Sequence, residues 1–389
     1  MKYFGSTGSK LVFLILITIF PVSVLAQNSS DTLTQELNRL YASSKFPGFC
    51  VAIVDANGIT YQQGFGVADV EKKVPYSPKT IQPVGSISKT LIGVALLKAV
   101  EQGHFTLKTS VNDLLPFQVS NPHFPGKVIT IEHLATHTSS IVDREAAYEK
   151  VYIPGKKADS TIQEFLTAYL TSKGKLYQKE NFARNEPGTA YSYSNIGAAL
   201  AAYLIELKAG MSFADYTQRF ILKPLGMDDS GWVYDDQQAN NATLYDTSRE
   251  IVPTYSLVTY PEGGLRTSGR DLSKYLIEII KGYSGKSSLL ARESFQTMLS
   301  PKFVATGLPK NIDPKEPNQG IFWQFRRNGT IGHSGGDPGV TAFLSFNPKT
   351  GKGKIFLTNI QIEENDLAGQ FSAIWKTLES YEEKVHSRQ

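Results

Sequence analysis

The stretch Ser86-Ile87-Ser88-Lys89 is an S-x-x-K tetrad, and an apolar run that continues to Val100 predicts a helix beginning on the tetrad and ending before Gly103. Residues three apart on a helix share a face, with Cβ atoms about 5–6 Å apart. Lys89 is therefore expected beside Ser86 at the helix N-terminus, near free backbone N–H groups. A lysine can deprotonate a serine only if a dry site or a nearby positive charge lowers the lysine pKa. Ser86 is the candidate nucleophile and Lys89 its candidate activator, with a simple serine N-cap as the alternative.

A second candidate element is Tyr193-Ser194-Asn195, which follows Pro187-Gly188 and precedes a helical pattern, so it is expected on a loop. A tyrosine phenol has a pKa near 10 in water. Beside a lysine ammonium it can ionise and act as a base, or relay a proton. The Asn195 amide offers donors and an acceptor for a substrate amide. The structural alternative is that Tyr193 and Asn195 are ordinary turn residues.

The third candidate element is Gly332-His333-Ser334-Gly335-Gly336, which is expected to end a strand. Two glycines after a strand allow a backbone N–H to face a substrate oxygen closely. Paired with the N–H of Ser86, it would form an oxyanion hole. The same stretch also matches G-x-S-x-G with Ser334 as nucleophile, but that motif requires a following helix, and here a turn and a strand pattern follow.

The composition is that of an ordinary globular protein. The chain has 389 residues, 41% hydrophobic and 20% charged, enough for one large domain or two interleaved ones. The net charge is +4 and no basic stripe stands out, so nucleic acid is not an expected partner. Oligomeric state is left open.

The N-terminus has the pattern of a secretory signal. Lys2 and Lys10 precede an apolar run at 11–20, and Val24-Leu25-Ala26 forms a small-residue cleavage pattern. The run of about 10 residues is short for a membrane span, and an uncleaved anchor is the alternative. We expect removal of residues 1–26 and a secreted or periplasmic mature protein with no stable membrane span.

Period-two patterns lie at both ends of the chain and helical patterns in the middle. Asn57-Gly58 and Asn328-Gly329 each predict a hairpin. Strands are expected at 49–54, 59–64, 320–327, 330–333, 341–346 and 352–358. Helices are expected at 30–46, 160–172, 196–209, 212–226, from about 269, and at 363–381. The predicted fold class is α+β, with an antiparallel sheet built from both ends, flanked by terminal helices, and an inserted helical lobe.

Metal and cofactor sites are not indicated. His133 and His137 are four residues apart, but Glu132 precedes the pair and no third ligand is evident, so both are interpreted as scaffold. Thr130 with His133 in place of Glu predicts only half a capping box. Cys50 is the only cysteine and lies in a buried strand pattern, so a packed thiol is expected.

The ordered set Ser-x-x-Lys, Tyr-Ser-Asn and His-Ser-Gly resembles the serine β-lactamase and penicillin-binding-protein superfamily. It most resembles the branch with class C β-lactamases, D-alanyl-D-alanine carboxypeptidases, D-aminopeptidases and related esterases. The resemblance covers about residues 33–380. Further stretches that carry it are 129–140, 186–195 and 263–268.

The resemblance implies a two-lobed fold with the site in the crevice between the lobes. The sheet lobe would comprise about 27–85 and 320–383, the helical lobe about 104–319, and 384–389 a tail. It implies that Ser86 is acylated and that Lys89 and Tyr193 share the proton transfers. Residues implied in substrate binding are Asn195, His333, Ser334, Gly335 and Gly336, with the N–H groups of Ser86 and Gly336 holding the oxyanion.

His333 departs from the lactamases, where a lysine commonly stands. Because a histidine is mostly neutral at pH 7, the change weakens the case for efficient β-lactam hydrolysis and fits peptidase and esterase relatives. The predicted function is a serine hydrolase acting through an acyl-enzyme on a β-lactam, a D-amino-acid peptide or a carboxylic ester. The alternative is a catalytically silent module that binds cell-wall peptide or penicillin.

Overall fold

The computed structural model describes residues 22–155, 158, 160–313, 318–363 and 366–386. Most of the predicted signal sequence, 1–21, lies outside the described residues. The helices are α1 (Val22–Ala42), α2 (Ser88–Glu101), α3 (Ile131–Ala135), α4 (Glu145–Tyr148), α5 (Ile162–Leu170), α6 (Asn195–Ala209), α7 (Phe213–Thr217), α8 (Gly269–Tyr283), α9 (Arg292–Met298) and α10 (Asp366–His386). The strands are β1 (Gly48–Asp55), β2 (Gly58–Asp69), β3 (Val74–Pro75), β4 (Ile81–Pro83), β5 (Tyr152–Pro154), β6 (Tyr255–Leu257), β7 (Arg266–Ser268), β8 (Asn318–Gln319), β9 (Gln324–Phe325), β10 (Ile331–Asp337), β11 (Val340–Asn347) and β12 (Lys352–Thr358).

Strands from both ends of the chain form one eight-stranded antiparallel sheet. Its order is β3-β2-β1-β12-β11-β10-β9-β8. The two ends meet where β1 pairs with β12, with Phe49 opposite Thr358. The predicted Asn57-Gly58 turn joins β1 to β2. The predicted fold class, an α+β chain with an antiparallel sheet flanked by helices, is confirmed.

Both faces of the central strands are covered, because successive side chains of a strand point to opposite faces. On β1, Phe49 and Val51 pack with α1 and α10 in one apolar cluster. Ala52 and Val54 pack in a second and larger cluster, to which α8, α2 and α6 contribute. This double coverage explains why β1 is an apolar run without polar alternation, and why all residues of β12 are buried, including Lys352 and Lys354.

Helix α2 crosses the middle of the fold and is buried on nearly every side. It packs against α6, which is equally apolar. Gly93 lies so close to the backbone of Ile321 that a Cβ at this position would be 2.6 Å from the Ile321 carbonyl oxygen. The tetrad therefore stands at the end of a helix held tightly from all directions.

The predicted strand at 320–327, which leads into the Asn328-Gly329 turn, is wrong except at Gln324–Phe325. Phe322 adopts a left-handed φ of +57°, and both Phe322 and Trp323 are fully buried. The Phe322 amide donates to the carbonyl of Ala135, outside the sheet. The apolar pattern here reflects packing into the core rather than strand pairing.

Helix α8 belongs spatially to the sheet although its residues fall inside 104–319. Its side chains Leu276 and Ile280 cover Gly353 of β12, and Gln62 of β2 donates to Ser273. In the described part of the chain, no single helix is long and apolar enough to cross a membrane. Only α6 together with 213–222 meets that test, as a pair bent by 80°.

Candidate active site

Ser86 lies on a 3₁₀ turn, Gly85–Ile87, immediately before α2 rather than on the α-helix itself. Gly85 has a left-handed φ of +51°, and a Cβ there would be 2.8 Å from the Gly336 nitrogen. Only glycine suits this position, because the turn needs a positive φ and β10 passes directly over it. The turn thus brings Ser86 against the strand that carries the third sequence element.

The Lys89 side chain is completely buried and points at Ser86. Its ammonium donates to Ser86 Oγ at 3.0 Å, to the backbone oxygen of Glu262 at 2.7 Å and to Glu262 Oε2 at 3.0 Å. An ammonium has three hydrogens. All three are therefore used, and Lys89 is held rigidly as a donor.

Glu262 is a site residue that the sequence reasoning missed. It is 1% exposed and forms a buried ion pair with Lys89. Its other oxygen accepts the Tyr148 hydroxyl at 2.6 Å and the Thr259 hydroxyl at 3.2 Å. In the sequence, the only indication of this role was the position of Glu262 directly before Gly263-Gly264, which begin the stretch 263–268 that carries part of the family resemblance.

The ion pair shifts the pKa of Lys89 in the direction opposite to the expected one. Burial alone lowers the pKa of Lys89, but the neighbouring Tyr193 and Glu262 outweigh burial and hold that pKa well above its ordinary value. The sequence reasoning required a lowered lysine pKa. In this structure Lys89 is instead a fixed cation, which can stabilise negative charge on its neighbours but has no free lone pair for a proton.

The ring of Tyr193 lies 5.2 Å from the Lys89 nitrogen. Its hydroxyl is buried without a hydrogen-bond partner of ordinary geometry. Burial raises the pKa of Tyr193, while Lys89 and Ser86 act in the opposite direction. The phenol is therefore neutral at rest, and its proton is free to be passed on.

Asn195 is the first residue of α6, not a loop residue as predicted. Ser194 caps the helix by accepting the Gly197 N–H at 2.9 Å. The half-buried Asp143 carboxylate, which the sequence reasoning also missed, accepts the Ser194 hydroxyl at 2.7 Å and the Asn195 N–H at 2.5 Å. The Asn195 side-chain oxygen is buried and unpartnered. Asp143 thus fixes the tripeptide, leaving the Asn195 oxygen available for a donor.

The two histidines interpreted as scaffold make backbone contacts. Nδ1 of His137 accepts the Ser194 N–H at 3.2 Å, and its ring lies 4.4 Å from that of Tyr193. Nδ1 of His133 accepts the Thr130 N–H at 3.2 Å, which completes the capping box of α3. The prediction of only half a box was wrong, because an imidazole nitrogen can accept as a glutamate oxygen does. Within the described residues, no group of three metal-ligating side chains occurs.

The third element lies inside β10, so Gly335 and Gly336, which were expected to follow the strand, are part of it. His333 is buried, and burial together with Lys89 lowers the pKa of His333 to about 3. Its Nδ1–H donates to the Ser334 carbonyl at 2.6 Å. His333 is therefore a neutral side chain across the physiological range, in contrast to a lysine.

Gly335 and Gly336 bring the β10 backbone beside the Ser86 turn. A Cβ on Gly335 would lie 1.9 Å from the Val84 carbonyl oxygen and 3.0 Å from the Ser86 nitrogen. A Cβ on Gly336 would meet nothing within 4 Å. Close approach thus requires glycine at 335, whereas 336 borders open space.

The structure therefore brings the three sequence elements together around Ser86. Lys89 and Tyr193 stand on the helical side, and Gly335 and Gly336 on the strand side. His333 faces Tyr193, with ring centroids 6.2 Å apart, while Ser334 alternates to the opposite face of the strand.

Comparison with known proteins agrees with this architecture. A family model described as Beta-lactamase matches residues 33–379. Protein flp of Staphylococcus aureus (strain N315) is 24% identical over 355 residues, which cover 87% of this chain and 65% of the relative's length. The chain thus spans about two thirds of that relative.

Two solved structures of related proteins have a similar fold. The octameric penicillin-binding protein homologue from Pyrococcus abyssi is 26% identical with a TM-score of 0.68, covering 85% of this chain and 73% of that chain. A class C beta-lactamase is 21% identical with a TM-score of 0.69, covering 92% and 98%. At that identity the second similarity concerns the fold.

Proposed function

The chain belongs to the beta-lactamase family, and from that premise we propose that it hydrolyses an amide, peptide or ester through an acyl-enzyme formed on Ser86. The observation that carries the proposal is the 3.0 Å hydrogen bond from the Lys89 ammonium to Ser86 Oγ beside the Tyr193 phenol. The substrate classes we propose are a β-lactam, a D-amino-acid peptide or a carboxylic ester. In keeping with its N-terminal pattern, we propose a secreted or periplasmic location.

In the acylation step, Ser86 Oγ attacks the substrate carbonyl and its proton passes to Tyr193. Because the phenol is neutral at rest, Tyr193 gives up its own proton to the leaving group as it accepts that of Ser86. Lys89 stays an ammonium and stabilises the charge that develops on the Tyr193 oxygen. The N–H groups of Ser86 and Gly336 receive the negative carbonyl oxygen.

Deacylation runs the same relay in reverse. Water attacks the acyl carbon, Tyr193 accepts a proton from the water and returns its own to Ser86 Oγ, and the ester bond to Ser86 breaks. The Asn195 amide borders the substrate. His333, neutral in this setting, offers no permanent charge to a substrate carboxylate, which favours peptide and ester substrates over β-lactams.

A silent binding module is the second candidate. The Lys89–Glu262 ion pair favours it, because no free lysine base remains beside Ser86. A module of this kind would be labelled by a penicillin without turning it over.

The test is intact-mass spectrometry of the mature protein incubated with a fluorescent penicillin and, separately, with a fluorophosphonate. We expect a single adduct that Ser86→Ala abolishes while Ser334→Ala, the matched control, retains it. Fast loss of a penicillin adduct would identify a β-lactamase, and slow loss a peptidase of the penicillin-binding type. Labelling by the fluorophosphonate alone would identify an esterase or aminopeptidase. Labelling that persists in Ser86→Ala would overturn the proposal.

A further inference from the structure

His137 holds the chain on both sides of Tyr193. Its backbone oxygen accepts the Ser192 N–H at 2.8 Å, and its Nδ1 accepts the Ser194 N–H at 3.2 Å. Its ring lies 4.4 Å from the Tyr193 ring, with an angle of 32° between the two planes. One residue therefore contacts the tyrosine of the proposed relay at the preceding residue, at the following residue and at the ring.

The reactive end of Tyr193 is held much less firmly. Among the described residues, its buried hydroxyl makes no hydrogen bond of ordinary geometry. The Lys89 ammonium stands 5.2 Å from the centre of the ring. A proton relay needs the exchanging oxygens within hydrogen-bond reach of each other. The place of the phenol oxygen relative to Ser86 therefore depends on the contacts made by the Tyr193 ring and by its neighbouring backbone.

The conformation and protonation of His137 both suit this contact. Its φ is +56°, in the left-handed region that residues other than glycine seldom adopt. Such conformations persist only where the surrounding structure fixes them, and they cluster at functional sites. Burial, together with Lys89 and His333, lowers the pKa of His137 well below its ordinary value. Nδ1 is therefore an unprotonated acceptor at pH 7, and the ring proton resides on Nε2.

We propose that His137 is a positioning residue, which fixes the backbone on both sides of Tyr193 and the tilt of its ring so that the phenol meets Ser86. The inference rests on the proposed function, since it concerns the geometry of the same proton transfers. A misplacement of about 1 Å can slow a reaction about 100-fold. Loss of the Nδ1 contact should therefore slow acylation even where the fold is intact.

The experiment compares the rates at which a fluorophosphonate labels Ser86 at pH 7 in His137→Asn and His137→Gln. Both variants replace the imidazole by an amide. The Asn oxygen is bonded to Cγ, as Nδ1 is, whereas the Gln oxygen lies one bond farther out. We expect His137→Gln to label about 10- to 100-fold more slowly than the wild type, and His137→Asn to label at least about fivefold faster than His137→Gln. Equal rates in the two variants would overturn the proposal.

The Tyr193→Phe background separates positioning of the relay from a general loss of structure. Without the phenol hydroxyl there is no relay to position, so adding His137→Gln should change the labelling rate of Tyr193→Phe by less than about twofold. Slowing by the same factor in both backgrounds would overturn the proposal. If His137→Gln does not fold, His137→Phe, which keeps a ring but has no acceptor, takes its place in both comparisons.

His133→Gln is the matched control. His133 also accepts a backbone N–H through Nδ1 at 3.2 Å, but at the start of α3. Loss of this cap should lower the melting temperature without slowing labelling. Slowing as large as that in His137→Gln would overturn the positioning role. Absence of labelling at Ser86 in the wild type would instead overturn the proposed function.

Discussion

The Glu262→Gln variant tests how the charge of Lys89 is controlled. Glutamine keeps the size of the side chain and an oxygen for the Tyr148 hydroxyl, but it removes the negative charge 3.0 Å from the ammonium. At an effective dielectric constant of about 20, this attraction amounts to about 5 kcal/mol. Because each 1.36 kcal/mol is a factor of ten, the protonation equilibrium of Lys89 should move by several powers of ten.

The sign of the pH effect follows from the two forces on Lys89. In the wild type the neighbouring Tyr193 and Glu262 hold the pKa of Lys89 above its ordinary value. Lys89 therefore remains an ammonium even when the pH reaches the ordinary pKa of a lysine. In the variant, burial lowers the pKa of Lys89 with much less opposition. Lys89 then loses its proton as pH rises toward the alkaline range, and Tyr193 loses the cation that stabilises its developing charge.

The assay is the rate of fluorophosphonate labelling of Ser86 from pH 5 to pH 10. We expect a rate that is steady toward alkaline pH in the wild type and falls in Glu262→Gln. Glu278→Gln, which alters a Glu–Lys pair outside the site with Lys281, is the matched control and should follow the wild type. The reasoning is refuted if the variant keeps the wild-type profile. It is also refuted if the variant reacts faster at alkaline pH, because Lys89 itself would then be the base.

Tyr193→Phe should slow labelling about 10²- to 10⁴-fold, because the relay is lost, without lowering the melting temperature, since among the described residues the hydroxyl makes no hydrogen bond of ordinary geometry. Gly335→Ala should destabilise the fold and abolish labelling, because its Cβ would strike the Val84 carbonyl, whereas Gly336→Ala should fold normally in the same thermal melts. His333→Gln should make stability depend less steeply on pH between about pH 6.5 and pH 3, while His133 and His137, whose pKa values burial also lowers, keep their share of the slope. In that window the residue at 333 takes up a proton in the unfolded wild type but not in the folded one, so the stability of the wild type decreases as the pH is lowered. An unchanged slope in denaturant titrations would contradict the low pKa of His333.

Local patterns predicted much of the fold. The Asn57-Gly58 hairpin, the strand at 352–358 and the helix beginning near 269 were recovered because turn residues and side-chain period act over a few residues. The arm at 320–327 failed because Phe322 and Trp323 bury their rings in the core by way of a left-handed turn. A contact with distant residues overrode the local pattern.

The residues of the candidate site also fall into those that the sequence identified and those that only the structure revealed. Ser86, Lys89 and Tyr193 stand out in the sequence because their chemistry is carried by short ordered motifs, and the structure brings them together. Glu262 and Asp143 could not be singled out, because a lone carboxylate in sequence is far more often a solvated surface group. Only burial next to a specific partner gives such a residue its role.

By itself, the sequence determined the fold class, the family and the three motifs, since these depend on residue order and local periodicity. The tertiary structure alone decided the electrostatics of the site: Lys89 is a fixed cation and His333 is neutral. The physical reason is that a side chain's charge depends on the groups within a few ångströms and on its exclusion from water. For Lys89, the decisive neighbour Glu262 is 173 residues away along the chain.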